Sequence, residues 1–300
     1  MAITPAQVAD LLDPAVRSVV MGPYESWKPL AAEIFEVKKS DRRSEIMGQM
    51  SGHGYIPVKN AGQAYSEEEP VEGLKLTVTH TEYGLATQVT ESALEDDRFG
   101  LLKKVGTSIL DSAKHSTEKI AWDVVNNGFA AGTSYGDGLA LYNTAKLRLG
   151  VGAPTFANKA STDVALSVAA LKTALDTLRA QKNHNNLPHF VKPPYYLIVP
   201  PELAQTAYEI VNSQLKQGTA NNDINYYAQQ GLINIVVVPY MTSTTNWHVW
   251  AKNHGQKLFL RTKPDLRTIV AQSTGNLVYQ LRFRASAASA NQFGIFGSNI

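Results

Sequence analysis

The chain has 300 residues, enough for one large domain or two modest ones with a sizeable core. Its 28 lysines and arginines nearly balance 26 aspartates and glutamates, so it lacks the basic excess of a dedicated nucleic-acid binder, whose affinity rests on phosphate contacts. It contains no cysteine, which excludes disulfides, thiolate metal sites and a cysteine nucleophile.

The start, MAITPAQVADLLDPAVRS, lacks a basic head followed by an apolar run, and no apolar stretch is long enough to span a bilayer. A soluble cytosolic product is therefore expected. Residues 4–21 read as a short helix, with Thr4 as N-cap, Pro5 at the first helical position and Pro14 as a break. Pro23, Trp27 and Pro29 mark an irregular crossing. A frayed terminus with one docked helix and an arm that packs on a neighbouring molecule both fit this pattern.

From residue 48 to 93 glycines punctuate the chain, and Glu67-Glu68-Glu69-Pro70 forms an acidic tip between two strand-like stretches. Leu74, Leu76, Val78 and His80 alternate with polar residues; Tyr83, Leu85, Thr87 and Val89 alternate with the opposite parity. The switch near Glu82-Tyr83 implies a bulge or a change of buried face. A two-stranded ribbon is marginal alone in water, so it needs a surface to lie on. A long helix is expected over Phe99–Asn127, with Leu102, Val105, Ile109, Ala113, Ser116, Ile120 and Val124 on one face and Lys114–Glu118 as an i,i+4 pair on the other. At roughly 28 residues it would be about 42 Å long, and Asn127-Gly128 is its stop.

From Ser161 the pattern turns α/β. Val164, Val168, Leu171, Leu175 and Leu178 mark a helix, Tyr195–Val199 a strand, and Pro200-Pro201 opens a further helix carrying Leu203, Ala207, Ile210 and Val211. GTANNDIN reads as a polar loop. The β-branched run Ile233–Val238 suggests a strand buried on both faces. Further strands are expected at Trp247–Trp250 and Lys257–Arg261, and Leu277, Tyr279, Leu281 and Phe283 alternate with Val278, Gln280, Arg282 and Arg284 as a half-buried strand with a basic face.

Catalytic patterns fail in context. Gly132-Thr133-Ser134-Tyr135-Gly136 matches G-x-S-x-G, but a nucleophile elbow needs a strand before the serine and a helix after it, and here a helix end precedes and an Asp-Gly turn follows. Neither His184 with His189 nor His115 with Glu118 supplies the three or four ligands of a metal site. Gly150-Val151-Gly152 lacks the strand–turn–helix setting of a dinucleotide fingerprint. No catalytic, cofactor or metal site is expected.

The stretch Asp137–Thr162, DGLALYNTAKLRLGVGAPTFANKAST, resembles the Mu-like major head subunits of tailed phages, whose shells use the Hong Kong 97 phage capsid fold. YGLATQVTESALEDDRFG, at Tyr83–Gly100, is similar to that family's turn into its spine helix. So are LALYNTA, PTFANKAS, LIVPPELAQTAYEIVNSQLKQGTANNDIN, INIVVVPYMT, HGQKLFLRTKPD and the ending FGIFGSN, in the family's order. Lys146-Leu147 departs from the pattern by standing where relatives often carry His-Pro.

The resemblance implies an α+β fold with residues 1–47 as N-terminal arm, 48–93 as an extended β-ribbon loop, 94–158 and 262–300 as a peripheral domain including spine helix 99–127, and 159–261 as an apical domain. It implies a major capsid protein that self-assembles as pentamers and hexamers into an icosahedral head, formed in the host bacterial cytoplasm. The implied partners are copies of itself, a separate scaffolding protein, a portal at one vertex, a decoration or minor capsid protein, and packaged double-stranded DNA held non-specifically, with no membrane and no cofactor. Trp27, Tyr65, Glu67, Glu68, Glu69, Lys75 and Tyr83 are the candidate inter-subunit contacts. The namesake's covalent cross-link joins a loop lysine to a neighbour's asparagine with a glutamate assisting. Lys59, Lys75 and Asn276 are present, but residues 262–300 hold no glutamate and only Asp265, so non-covalent stabilisation is expected. The rival readings are an encapsulin-type cargo shell, an α/β enzyme built on residues 160–260, and a tail or portal component.

Overall fold

A computed structural model describes residues 26–90, 92–93, 101–133, 137–149, 155–215, 224–271 and 273–300. The expected helix at 4–21, the start of the Phe99–Asn127 helix, Ser134–Gly136, the Gly150–Gly152 turn and most of the GTANNDIN loop lie outside them. The elements in order are α1 (Ala31–Ile34), β1 (Glu36–Lys39), β2 (Ser44–Met50), β3 (Glu72–Thr79), β4 (Thr81–Val89), α2 (Leu101–Asn126), α3 (Val168–Ala180), β5 (Tyr195–Val199), a 3-10 turn (Pro201–Leu203), α4 (Ala204–Asn212), α5 (Tyr226–Gln230), β6 (Ile233–Val237), β7 (Trp247–Ala251), β8 (Gln256–Val270), β9 (Leu277–Ser289) and β10 (Ile295–Ser298). The class is mixed α+β, as the resemblance implies.

The described residues fall into two compact units. Counting the described residues only, the first draws on 26–45, Val78–Ala121 and Leu258–Ala287; the second on Ile46–Thr77, Trp122–Lys257 and Ala288–Ile300.

In the first unit a four-stranded sheet runs in the order β1-β8-β9-β4. β4 pairs antiparallel with β9, from Thr81↔Ala285 to Val89↔Leu277. Its core joins Ile109, Leu110 and Ala113 of α2 to Leu266 of β8 and Leu277, Tyr279, Leu281 and Phe283 of β9. Each leucine, isoleucine or phenylalanine among them contributes about 1.5–3 kcal/mol on burial. The buried stripe of α2 is rotated from the expected one. Thr117, Glu118 and Ala121 are buried, whereas Ser116 and Ile120 are only half-buried. Polar groups turn inward because they find partners there: Thr117 Oγ1 donates to Ala113 O at 2.9 Å, and Glu118 accepts the backbone N–H groups of Leu30 and Ala31. The expected Lys114–Glu118 pair does not form; Lys114 bonds Asp111 at 2.8 Å instead.

The first unit's second polar anchor is His80, between β3 and β4. Its Nε2 lies 2.9 Å from Ser40 Oγ and its Nδ1 2.8 Å from Ser286 Oγ. Ser40 donates its single hydroxyl proton to Glu45 Oε1 at 2.6 Å. It therefore accepts from His80 Nε2–H, which leaves Nδ1 to accept from Ser286. Burial lowers the His80 pKa, with Arg261 and Arg284 adding to the shift and Glu45 opposing it. The chain breaks its strand alternation here because a buried histidine takes the place of a ladder residue.

In the second unit a sheet runs in the order β10-β7-β5-β6, with β5 parallel to β6 and antiparallel to β7. Leu171, Leu175 and Leu178 of α3 and Ala207, Ile210 and Val211 of α4 pack with Leu197, Val199, Trp247 and Val249 of the sheet. Ser167 caps α3 through Ala170 N at 3.1 Å. β6, expected to be buried on both faces, is an edge strand with Asn234 and Val237 exposed. A β-branched run reports pleat preference, not the number of neighbouring strands.

The segment after α2 locks onto this sheet through Tyr142, which is fully buried and accepts from Trp250 Nε1 at 2.8 Å. Its ring lies 4.8 Å from Phe129 and 4.9 Å from His248, centroid to centroid. A Cβ at Gly128 would sit 2.6 Å from Tyr142 Cε2, so only glycine ends the helix there. Buried Asn158 brackets the same segment, donating to Leu141 O at 2.8 Å and accepting from Asn143 N at 2.7 Å. The resemblance-bearing motifs LALYNTA and TFAN are thus the two halves of one contact. The departing residue Lys146 is fully buried, with Nζ 2.7 Å from Asp137 Oδ2 and 3.1 Å from Ala140 O.

Three stability outcomes follow from these burials. In urea unfolding, Glu118→Ala should cost roughly 1–3 kcal/mol, because two buried backbone donors lose their acceptor. Lys146→Met should cost roughly 3–5 kcal/mol by stranding the Asp137 carboxylate, and Lys146→Met with Asp137→Leu should recover most of it. Buried His248 has its pKa lowered from 6.5 to about 3 by desolvation. The unfolded chain binds more protons between those values, so this contribution is complete above pH 6.5 and is lost as pH falls toward 3, by up to about 1.4 kcal/mol per unit. His248→Phe should flatten the stability–pH curve of the wild type over that range.

Candidate assembly surfaces

Two surfaces stand out once the buried polar groups are accounted for. One is the ribbon. β2 and β3 form a sheet of two strands only, and the 51–71 stretch that joins them has no regular structure. Ser51 N donates to Val71 O at 2.9 Å at the ribbon's end, and His80 N reaches Arg43 O at 3.4 Å at its base. The ribbon therefore returns through 44–50, and Tyr83–Val89 belongs to the first unit's sheet instead. Gly73 is held close to the 137–149 segment: a Cβ there would lie 2.4 Å from Leu149 Cδ1.

The tip beyond the ribbon exposes large apolar side chains. Ile56 is 95% exposed, Val58 89% and Tyr65 83%. Such a cluster without a core beneath it is the mark of a contact surface. Tyr65 stacks under Lys59 Nζ at 4.7 Å. Glu68 accepts from Gly54 N at 2.9 and 3.1 Å, tying the two limbs of the tip together. Glu67 and Glu69 are exposed. Lys75 is engaged by Glu72 at 2.7 Å, and its ammonium holds the Glu72 carboxyl below its usual range. Trp27 is half-buried. Tyr83 stacks on Phe283 within its own sheet at 5.0 Å. The structure thus brings Tyr65 and the three glutamates onto one tip and leaves Tyr83 against the first unit's core.

The second surface is the face of the β1-β8-β9-β4 sheet opposite its core. Strand alternation puts Leu260, Leu266 and Val270 of β8 in the core, and Arg261, Lys263, Asp265 and Arg267 on the other face. On β9 the same alternation sends out Gln280, Arg282 and Arg284, with Glu82 of β4 in register with Arg284. Glu82 Oε1 bonds Arg282 Nε at 2.7 Å, and Asp265 bonds Arg267 at 2.9 Å. Arg261 Nη1 and Arg284 Nε are buried atoms with no hydrogen-bond partner among the described residues. The sequence showed the basic face of β9; that β8 adds Arg261 and Lys263 to the same face depends on pairing that no local pattern encodes.

No catalytic arrangement appears among the described residues. The Glu45–Ser40–His80–Ser286 chain has the residue types of a relay, but Ser40, His80 and Ser286 are buried and fix the backbone. His184 and His189 each lie 5.1 Å from Phe293, and burial lowers both their pKa values. Among the described residues no group of three metal-ligating side chains occurs, and no helix is long and apolar enough to cross a membrane.

Solved shells share this architecture. A native GTA particle capsid superposes with a TM-score of 0.59 at 10% identity, covering 90% of each chain. The virus-like particle from Pyrococcus furiosus gives 0.54 at 10% identity, covering 95% of this chain and 98% of that one. The capsid of bacteriophage JBD30 decorated with minor capsid protein trimers gives 0.57 at 14% identity, covering 81% of this chain and all of that one. At these identities the likeness is one of fold, and the fold is of the Hong Kong 97 capsid type. No curated protein matches the chain. The family model described as phage capsid protein matches residues 73–288, from the ribbon's second strand through β9. The chain belongs to the phage capsid protein family, which is structural and not enzymatic.

Proposed function

We propose that the chain is the major capsid protein of a tailed double-stranded-DNA phage, self-assembling as pentamers and hexamers into an icosahedral head around the genome. The observation that carries this reading is the family match over residues 73–288, reaching across both units. The exposed apolar tip supports the assembly part, because Tyr55, Ile56, Val58 and Tyr65 find cover only on another molecule. The Mu-like assignment rests on the LALYNTA and PTFANKAS motifs. Residues 1–47 act as the arm across a neighbour, 48–93 overlap an adjacent subunit, and 159–261 meet their copies around the capsomer axis. Trp27, Tyr65, Glu67, Glu68, Glu69, Lys75 and Tyr83 are the contact residues of this reading.

A scaffolding protein, a portal and non-specifically held DNA complete the partner set. The minor capsid protein trimers on the JBD30 capsid support a decoration protein here as well. Stabilisation is non-covalent: Lys75 is engaged by Glu72, and no glutamate lies in 262–300 to assist a cross-link with Asn276. A cargo shell is the second reading, since the fold is shared with a virus-like particle as well as with phage heads.

Negative-stain electron microscopy of the chain co-expressed with its scaffold should show closed, uniform shells, and a denaturing gel of those shells a single monomer band. Small oligomers would end the assembly reading. A ladder of covalent oligomers would end the non-covalent one, and a co-purifying enzyme inside the shells would select the cargo shell.

A further inference from the structure

We propose that His184 is a proton-operated latch on the ribbon: neutral, it holds Leu149 in its seat against Gly73 of β3, and charged, it lets Leu149 and the ribbon go. The device belongs to the single subunit and goes beyond the assembly reading.

The latch is built on one hydrogen bond. The Leu149 N–H donates to His184 Nδ1 at 3.1 Å. Nδ1 is therefore an acceptor, and the ring carries its proton on Nε2. The other end of Leu149 reaches the ribbon. Its Cδ2 lies 2.6 Å from where a Cβ at Gly73 would stand, so the isopropyl group fills the place of the missing side chain. Phe293 packs on the His184 ring edge-on at 5.1 Å and itself stacks on Phe156 at 4.7 Å. One residue thus joins the 183–187 loop, through its amide, to β3, through its side chain.

Gain of a proton destroys the bond. Both nitrogens of an imidazolium are donors, so no turn of the ring offers the Leu149 N–H an acceptor. The surroundings also oppose the charge. Arg148 stands on the same segment as Leu149, with Nη1 3.2 Å from Asn186 Oδ1 of the loop, and His189 packs on Phe293 at 5.1 Å. Burial lowers the His184 pKa most, and Arg148 and His189 lower it further. The other charges on these segments are engaged or turned to solvent: Asp137 holds Lys146 at 2.7 Å, Lys75 holds Glu72 of β3 at 2.7 Å, and Lys182 is exposed. With the folded-state pKa below 6.5, the bond is whole above pH 6.5 and is lost as pH falls through the lowered value. Between the two the released state gains up to about tenfold per pH unit. His189 is the rival sensor, since burial lowers its pKa too and its Nε2 has no hydrogen-bond partner among the described residues. The bond to Leu149, however, is made by His184.

The test is hydrogen exchange of the full chain before assembly, read at about pH 7.5 and about pH 5 and corrected for the intrinsic rate. A two-stranded ribbon without its seat is marginal. Protection of the Leu149 amide and of residues 73–76 should therefore fall about tenfold on acidification, while that of α3 should hold. His184→Asn keeps an acceptor in the place of Nδ1 and cannot be charged, so it should stay protected at both pH values. His184→Phe should be unprotected at both. Gly73→Ala leaves the histidine untouched and displaces the Leu149 side chain. Its ribbon should be unprotected at both pH values while its Leu149 amide still answers to pH.

Flat protection in the wild type would overturn the proposal, and that comparison needs no variant. So would pH dependence that survives in His184→Asn, which would pass the role to His189. Loss of α3 protection in the same step would also overturn it, because the event would then be general acid unfolding.

Discussion

The close packing around Tyr142 constrains most of the second unit. The ring is sealed between Phe129, His248 and Trp250, and its hydroxyl is spent on the Trp250 indole N–H. Three consequences follow from one aromatic side chain. The turn that follows helix α2 must carry a residue without a side chain, because Gly128 lies against the ring. Strand β10 must carry glycine at 297, where a Cβ would meet both Tyr142 and His248 at 2.9 Å. His248 must stay neutral, since burial removes the water its charged form needs. Asn158 then stitches the segment shut with side-chain bonds on both sides of Tyr142.

The first unit is held differently. Its apolar core between α2 and the sheet is ordinary, but its edges are secured by buried polar groups: Glu118 under α1, and His80 with its two serines at the point where β3 passes into β4. A buried hydrogen-bonded group fixes geometry more sharply than apolar packing, because a small displacement leaves a donor or acceptor unmet. The base of the ribbon is therefore well determined, while its far end is not anchored by any core.

That contrast is the physical logic of a shell subunit. A two-stranded ribbon with an apolar, acidic tip is a poor way to stabilise a lone protein, since beyond its contact with Leu149 it orders backbone while burying little surface. It becomes favourable when another copy covers it.

Elements whose evidence is local were legible in the sequence. Tyr195–Val199 and the α2 and α3 helices carry a period, a cap or a glycine stop within their own span, and the half-buried β9 carries strict alternation. Non-local outcomes were not. Nothing near Thr81–Val89 says that its partner is β9, some two hundred residues further on. Nothing near Ile233–Val237 says that it is an edge strand, and nothing near Glu118 or Lys146 says that a charged side chain points inward. A charge is drawn inside by the donors and acceptors that other segments bring to it, and strand order is set by which surfaces can be buried together. Local sequence determined which segments are helix or strand; only the tertiary structure decided which face of each segment is buried, because burial is a property of the partner as much as of the residue.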